Sequence, residues 1–124
     1  VLSRLPPLRL AGIGAAAACV RWIGTAATVE FVPLLAFQAL HALSFAASLL
    51  ATLSLVQRLV PPEAAATAQA LQAALGPGLA MLLLTFASGP IYAAIGGGVF
   101  MVMAIVAALG FCTVLLLARR LPVS

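Results

Sequence analysis

The sequence lacks lysine and aspartate altogether, and charged residues make up only 6% of its 124 positions. A soluble domain carries about 25% charged residues. So few charges do not cover a water-facing surface, which excludes a soluble globular fold. Two glutamates, Glu30 and Glu63, are the whole acidic complement, and neither lies inside a long apolar run. Paired-carboxylate catalysis is therefore excluded. One histidine, His41, and two cysteines, Cys19 and Cys112, form no metal-ligand spacing and no CxxC pair. No metal site, no cofactor and no enzyme chemistry is expected, and both cysteines read as small apolar residues. The six arginines are dispersed, with no basic stripe interleaved with aromatics, so nucleic acid is not an expected partner. The "GGG" at 96–98 has no strand before it and no Lys-Ser/Thr after it, so it is no phosphate cradle.

What fills the chain instead is hydrocarbon: 65% of residues are hydrophobic. A bilayer span needs about 20 mostly apolar residues. Four runs qualify, at roughly 8–28, 31–57, 64–87 and 97–118. Long apolar runs without ten-residue alternation predict helices rather than barrel strands. "LRLAGIGAAAACV" has the look of a signal-peptide core, but Arg21 and Trp22 follow it at once and three more runs come after. It therefore reads as a span. The expected fold is an all-α membrane protein of four antiparallel transmembrane helices, joined by the short connections "VE", "RLVPPE" and "SGPIYAAIGG".

Alternating spans place Arg4, Arg9, Arg58, Arg119 and Arg120 on one side and only Glu30 on the other. The positive-inside rule then puts both termini and the 58–63 loop in the cytoplasm. The expected location is the cell's inner membrane, multi-pass, with the lipid bilayer as the general partner.

Polar residues inside the runs are the candidate site. Intramembrane ionisable groups are costly and mark function by default. Arg21 lies ~10 Å from the outer end of span one, and Gln38 is about as deep in span two, with His41 a turn further. Gln38, His41, Phe45, Ser48 and Thr52 recur at three- and four-residue spacing, on one helical face. That face is expected to point into a bundle or an aqueous cavity. Arg21 has two readings: a side chain snorkelling to headgroups beside Trp22, or one turned into the bundle. His41 likewise reads as interhelical packing or as a solute- or proton-handling group. Gln69 and Gln72 open span three, which "GPG" (Gly76, Pro77, Gly78) then breaks. The break predicts a bend, either static or a hinge. Four-residue pairs such as Gly14 and Ala18, Ala64 and Ala68, and Ala104 and Ala108 are expected at close helix contacts.

Arg21-Trp22, then Gln38-Ala39-Leu40-His41 with Ser44-Phe45, then Gln69-Ala70-Leu71, and finally Gly96, Phe100 and Val102 form an ordered set. In that order they resemble the major facilitator superfamily, more narrowly its 3-phenylpropionate permease-like proton symporters. The likeness runs from about residue 8 to 120. It implies that the chain is helices nine to twelve of a twelve-helix major facilitator fold, with the N-terminal helices missing. It further implies alternating access for a small organic solute, with protons as the coupling ion, and Arg21, Gln38, His41, Ser48, Thr52, Gln69 and Gln72 as cavity-lining candidates. Gln72 departs from relatives that carry an aromatic there, so substrate preference does not carry over. The rival expectation is a self-contained four-helix membrane protein, such as a small multidrug exporter or an accessory subunit. The exporter form wants a glutamate in its first span, where this chain has Arg21.

Overall fold

A computed structural model describes residues 6–120; Arg4 lies outside the described residues. Helix α1 spans Pro7–Ala27 and α2 spans Phe31–Leu59. Helix α3 spans Pro62–Ala73, and a π-helical turn, Ala74–Gly78, passes directly into α4, Leu79–Ile95. A 3-10 turn at Gly96–Gly98 then leads into α5, Val99–Arg120. Among the described residues there is no strand.

Each start has a local cause. Pro7 and Pro62 occupy the first helical turn, where a missing N–H costs nothing. Glu63 sits in the first turn of α3, facing the positive end of its dipole. The link between α1 and α2 is closed by the Glu30 N–H donating to the Thr28 hydroxyl at 3.1 Å. Arg58 lies in the last turn of α2, and Arg119 and Arg120 in the last turn of α5, where cations meet the negative dipole end.

Three stretches are long and apolar enough to cross a membrane: Pro7–Ala27, Phe31–Leu59 and the unbroken helical run Pro62–Arg120 of 59 residues. A straight helix of that last length would reach roughly 90 Å, about three times the hydrocarbon thickness of a bilayer. It is not uniform. The π turn interrupts it first, and Gly96, with φ 55° and ψ −132°, interrupts it again.

Most helix ends lie within one or two residues of the ends of the apolar runs, with one larger difference. "SGPIYAAIGG" reads as a loop in the sequence, yet α4 continues through Ser88, Gly89 and Pro90 to Ile95. In hydrocarbon an unwound backbone has no water to bond, so turn-forming residues do not end the helix there. The Ser88 hydroxyl donates to the Thr85 carbonyl at 2.8 Å, one turn before Pro90. The stop comes at Gly96 because only glycine adopts its dihedrals cheaply. Gly96→Ala is accordingly expected to cost about 1–2 kcal/mol in reversible unfolding from mixed micelles. Gly97→Ala, equally uncrowded but at ordinary φ, should leave the midpoint nearly unchanged.

Packing is centred on α1, with α2 on one side and α5 on the other. Fully or nearly fully buried apolar residues are Leu8, Leu10, Ala17, Ala47, Ala51 and Ala104. The large ones among the rest, including Phe31, Leu35, Met81, Phe86, Leu109 and Leu116, point outward. Small residues inside and large apolar residues outside is the arrangement expected when the solvent is lipid. Gly14 sets the α1–α2 spacing, since a Cβ there would stand 3.1 Å from the Ser44 carbonyl oxygen and 3.2 Å from the Ser48 nitrogen. Gly24 does the same against the ring of Phe37. Ala104 is a buried contact on α5. Ala64 and Ala108 are exposed, so those two pairs form no tight seam within this chain.

Candidate functional site

The α1–α2 pairing carries Arg21 to Gln38, where Nη1 donates to the Gln38 amide oxygen at 3.5 Å. Arg21 is only 9% exposed. Its guanidinium lies over the neighbouring Trp22 ring, 3.8 Å from the centroid, a cation–π contact. The side chain thus crosses to α2 at its own depth. Its backbone carbonyl also accepts the Thr25 hydroxyl at 2.8 Å, which fills that polar group within the helix. Arg21 Nε is buried with no hydrogen-bond partner.

Lower on α2, a cavity of about 250 Å³ is lined by Phe45, Ser48, Leu49, Thr52, Gln72 and Pro77. The π turn makes this meeting geometrically available. Pro77 offers no N–H, and Leu79 N–H reaches back five residues to the Ala74 carbonyl, the bonding pattern of a π-helix. Such turns inside α-helices recur at functional sites. The Gln72 side chain lies against Gly76, its amide nitrogen 3.2 Å from where a Cβ would stand. Four polar or helix-breaking residues singled out in the sequence, Ser48, Thr52, Gln72 and Pro77, therefore share one wall.

The chain matches a family model described as the MFS_1 like family over residues 1–117. It belongs to that family, within the major facilitator superfamily. No curated protein and no solved structure matches it. Members of the major facilitator superfamily are membrane transporters, and the chain's apolar helices agree with an integral membrane protein.

On this major facilitator chain the remaining candidates separate. His41 is exposed and stacks at a tilt on Phe45, with ring centroids 6.1 Å apart. Its backbone carbonyl accepts the Ser44 hydroxyl at 3.0 Å. The buried seam of α2 is Ser44, Ala47 and Ala51. Gln38, His41, Phe45 and Ser48 lie outside it and are exposed, while Thr52 is half-buried. The polar stripe therefore borders the α1 contact rather than filling it: Gln38 and Ser48 meet Arg21 and Gly14, while His41 and Phe45 stay exposed. Gln69 is half-buried on α3 and does not line the Gln72 cavity. Gly76 and Gly78 lie in the π turn with Pro77.

Sequence reasoning missed one arrangement. Trp22 stacks on Phe100 of α5, with centroids 6.0 Å apart and planes 14° apart. Both rings border two cavities at once. The only signal was indirect, since each residue stood out separately and nothing in the spacing joined α1 to α5.

Proposed function

We propose that this major facilitator chain supplies helices nine to twelve of a secondary active transporter, which moves a small organic solute by alternating access in symport with protons. The observation that carries the reading is the cavity in which Ser48 and Thr52 of α2 face Gln72 and Pro77 at the π turn. Polar groups beside irregular helix, at mid-span, are how carriers of this architecture hold solutes. Gln38 and His41 extend the same wall upward, with Arg21 held behind Gln38 and Gln69 one turn before Gln72.

The break at Gly96 divides the long run into two spans, giving four that alternate in direction. Supporting this, Gly14 meets Ser48 while Arg21 meets Gln38. Gly12 likewise lies near Phe111 and Val114, while Trp22 meets Phe100. Arg9, Arg58, Arg119 and Arg120 then share one side, placed in the cytoplasm of the inner membrane by the positive-inside rule. The exposed polar stripe also calls for cover, because histidine and glutamine facing lipid are costly. Helices of the N-terminal part of the transporter are the proposed cover, and the chain alone is not expected to transport.

The test is uptake by the intact transporter. His41→Ala is expected to lower initial solute uptake about tenfold or more, on the scale of one lost buried hydrogen bond. Ser54→Ala, off the stripe, should leave it within about twofold. Equal uptake by both variants at matched membrane levels would reduce His41 to a packing residue.

A further inference from the structure

A cavity of about 480 Å³ lies near the end of α1, bordered by Arg21, Thr25 and Thr28 of α1 and its link, Gln38 of α2, and Phe100 of α5. Arg21 lines it as a buried cation whose guanidinium bonds only the neutral Gln38 amide across the helix pair. The two carboxylates of the chain do not serve it. Glu63 lies in the first turn of α3 and Glu30 is exposed beyond the link. A guanidinium held inside a membrane span without an anion is costly, and its planar fork fits two oxygens of one oxyanion.

A second cavity, of about 490 Å³, begins on the other side of the Trp22–Phe100 stack. Its walls there include Met81 and Leu84 of α4 and Met103 of α5. Met81 is largely exposed and Leu84 partly so. The paired rings are thus a partition shared by a cationic chamber and an apolar one. A free anion would fill only the first, and a hydrocarbon only the second. A bilayer supplies a molecule with both parts at the right level, since Arg21 is ~9 Å of helix from the end of α1.

We propose that these two cavities form a single phospholipid site, with the lipid phosphate on Arg21 and an acyl chain passing Trp22 and Phe100 to lie between α4 and α5. The site meets the Ser48–Gln72 cavity only at Pro77, which borders both, and lipid binding there does not depend on the transport reading. The lipid would tie α1 and α2 to the α4–α5 turn.

Trp22 is the only tryptophan in the chain, so its fluorescence reports the site directly. The full chain in detergent micelles is titrated with phosphatidylglycerol carrying dibrominated acyl chains, which quench tryptophan on contact. Saturable quenching is expected, with the midpoint moved about tenfold or more to higher lipid in Arg21→Gln, on the scale of a lost charge-assisted hydrogen bond. Arg21→Lys should recover most of that shift. Dibrominated diacylglycerol, which has the chains without the phosphate, should quench the unaltered chain only at about tenfold higher concentration. This comparison holds even if Arg21→Gln fails to fold. Equal midpoints for the two lipids would overturn the proposal and leave only apolar contact. Recovery of fluorescence by inorganic phosphate or a short-chain carboxylate, at concentrations matched to the lipid, would also overturn it and assign the chamber to a free anion.

Discussion

Leucine in place of Gly14 should force α1 and α2 apart and lower the stability of the folded chain by about 3 kcal/mol, the upper range for overpacking a tight contact. The reason is what a side chain would meet. The Ser48 hydroxyl, 2.7 Å from the would-be Cβ, can rotate away. The Ser44 carbonyl and the Ser48 nitrogen, at 3.1 and 3.2 Å, are backbone and cannot. Relief then requires the whole helix to move, which also stretches the Arg21–Gln38 bond one and a half to two turns away. Glycine-to-leucine substitution favours the helix itself by almost 1 kcal/mol, so any loss reflects packing between helices. Gly110 supplies the control, because nothing lies within 4 Å of a Cβ there. Unfolding in mixed micelles of increasing sodium dodecyl sulfate reads the difference. A Gly14→Leu midpoint equal to that of Gly110→Leu would show that α1 and α2 do not meet at this seam.

The second large effect is expected at Pro77. Alanine is favoured over proline in a helix interior by about 3 kcal/mol. It also restores the N–H that the π turn does without. Pro77→Ala should therefore convert Ala74–Gly78 to ordinary α-helix. Dropping one residue from a turn rotates α4 by about 100° relative to α3. That rotation would carry Met81, Leu84 and Ser88 away from α5 and remove Pro77 from the wall it shares with Ser48 and Thr52. In the intact transporter, uptake should fall about tenfold or more while the amount in the membrane is unchanged, on the scale by which a small misplacement costs an oriented site. Amide hydrogen exchange across residues 74–79 should slow in the same variant. Unchanged exchange would mean that the π turn does not depend on the proline, and unchanged uptake would remove the turn from the transport path.

The helices were legible because run length and apolarity are what a bilayer demands, and no tertiary detail enters that requirement. Arg21 beside Gln38 was legible for a related reason: a two- or three-residue link fixes the relative depth of the helices it joins. Ser88-Gly89-Pro90 misled because its turn chemistry belongs to chains that can bond to water. In lipid the helix runs on until a glycine with positive φ ends it. The wall of Ser48, Thr52, Gln72 and Pro77 was hidden for another reason. It depends on how α3 is rotated about its own axis, and a π turn adds a residue to that rotation. The exposure of His41 was equally hidden. Periodicity shows which residues share a face of α2, but not that the neighbouring α1 centres on the adjacent seam of Ser44, Ala47 and Ala51 and touches the stripe only at its edge, at Gln38 and Ser48.

That seam of serine and alanine, with Gly14 opposite, has a consequence for protein engineering. Most residues of that seam are small, and bulky ones such as Phe31, Leu35, Leu109 and Leu116 are largely exposed. Instructions for which helix sits where are written in one set of positions, and instructions for which solvent surrounds them in another. The outward set can be rewritten with glutamate, lysine and glutamine while the inward set is left untouched. A recoded chain of that kind carries the same helix-to-helix geometry into water, where the arrangement can be studied without a membrane.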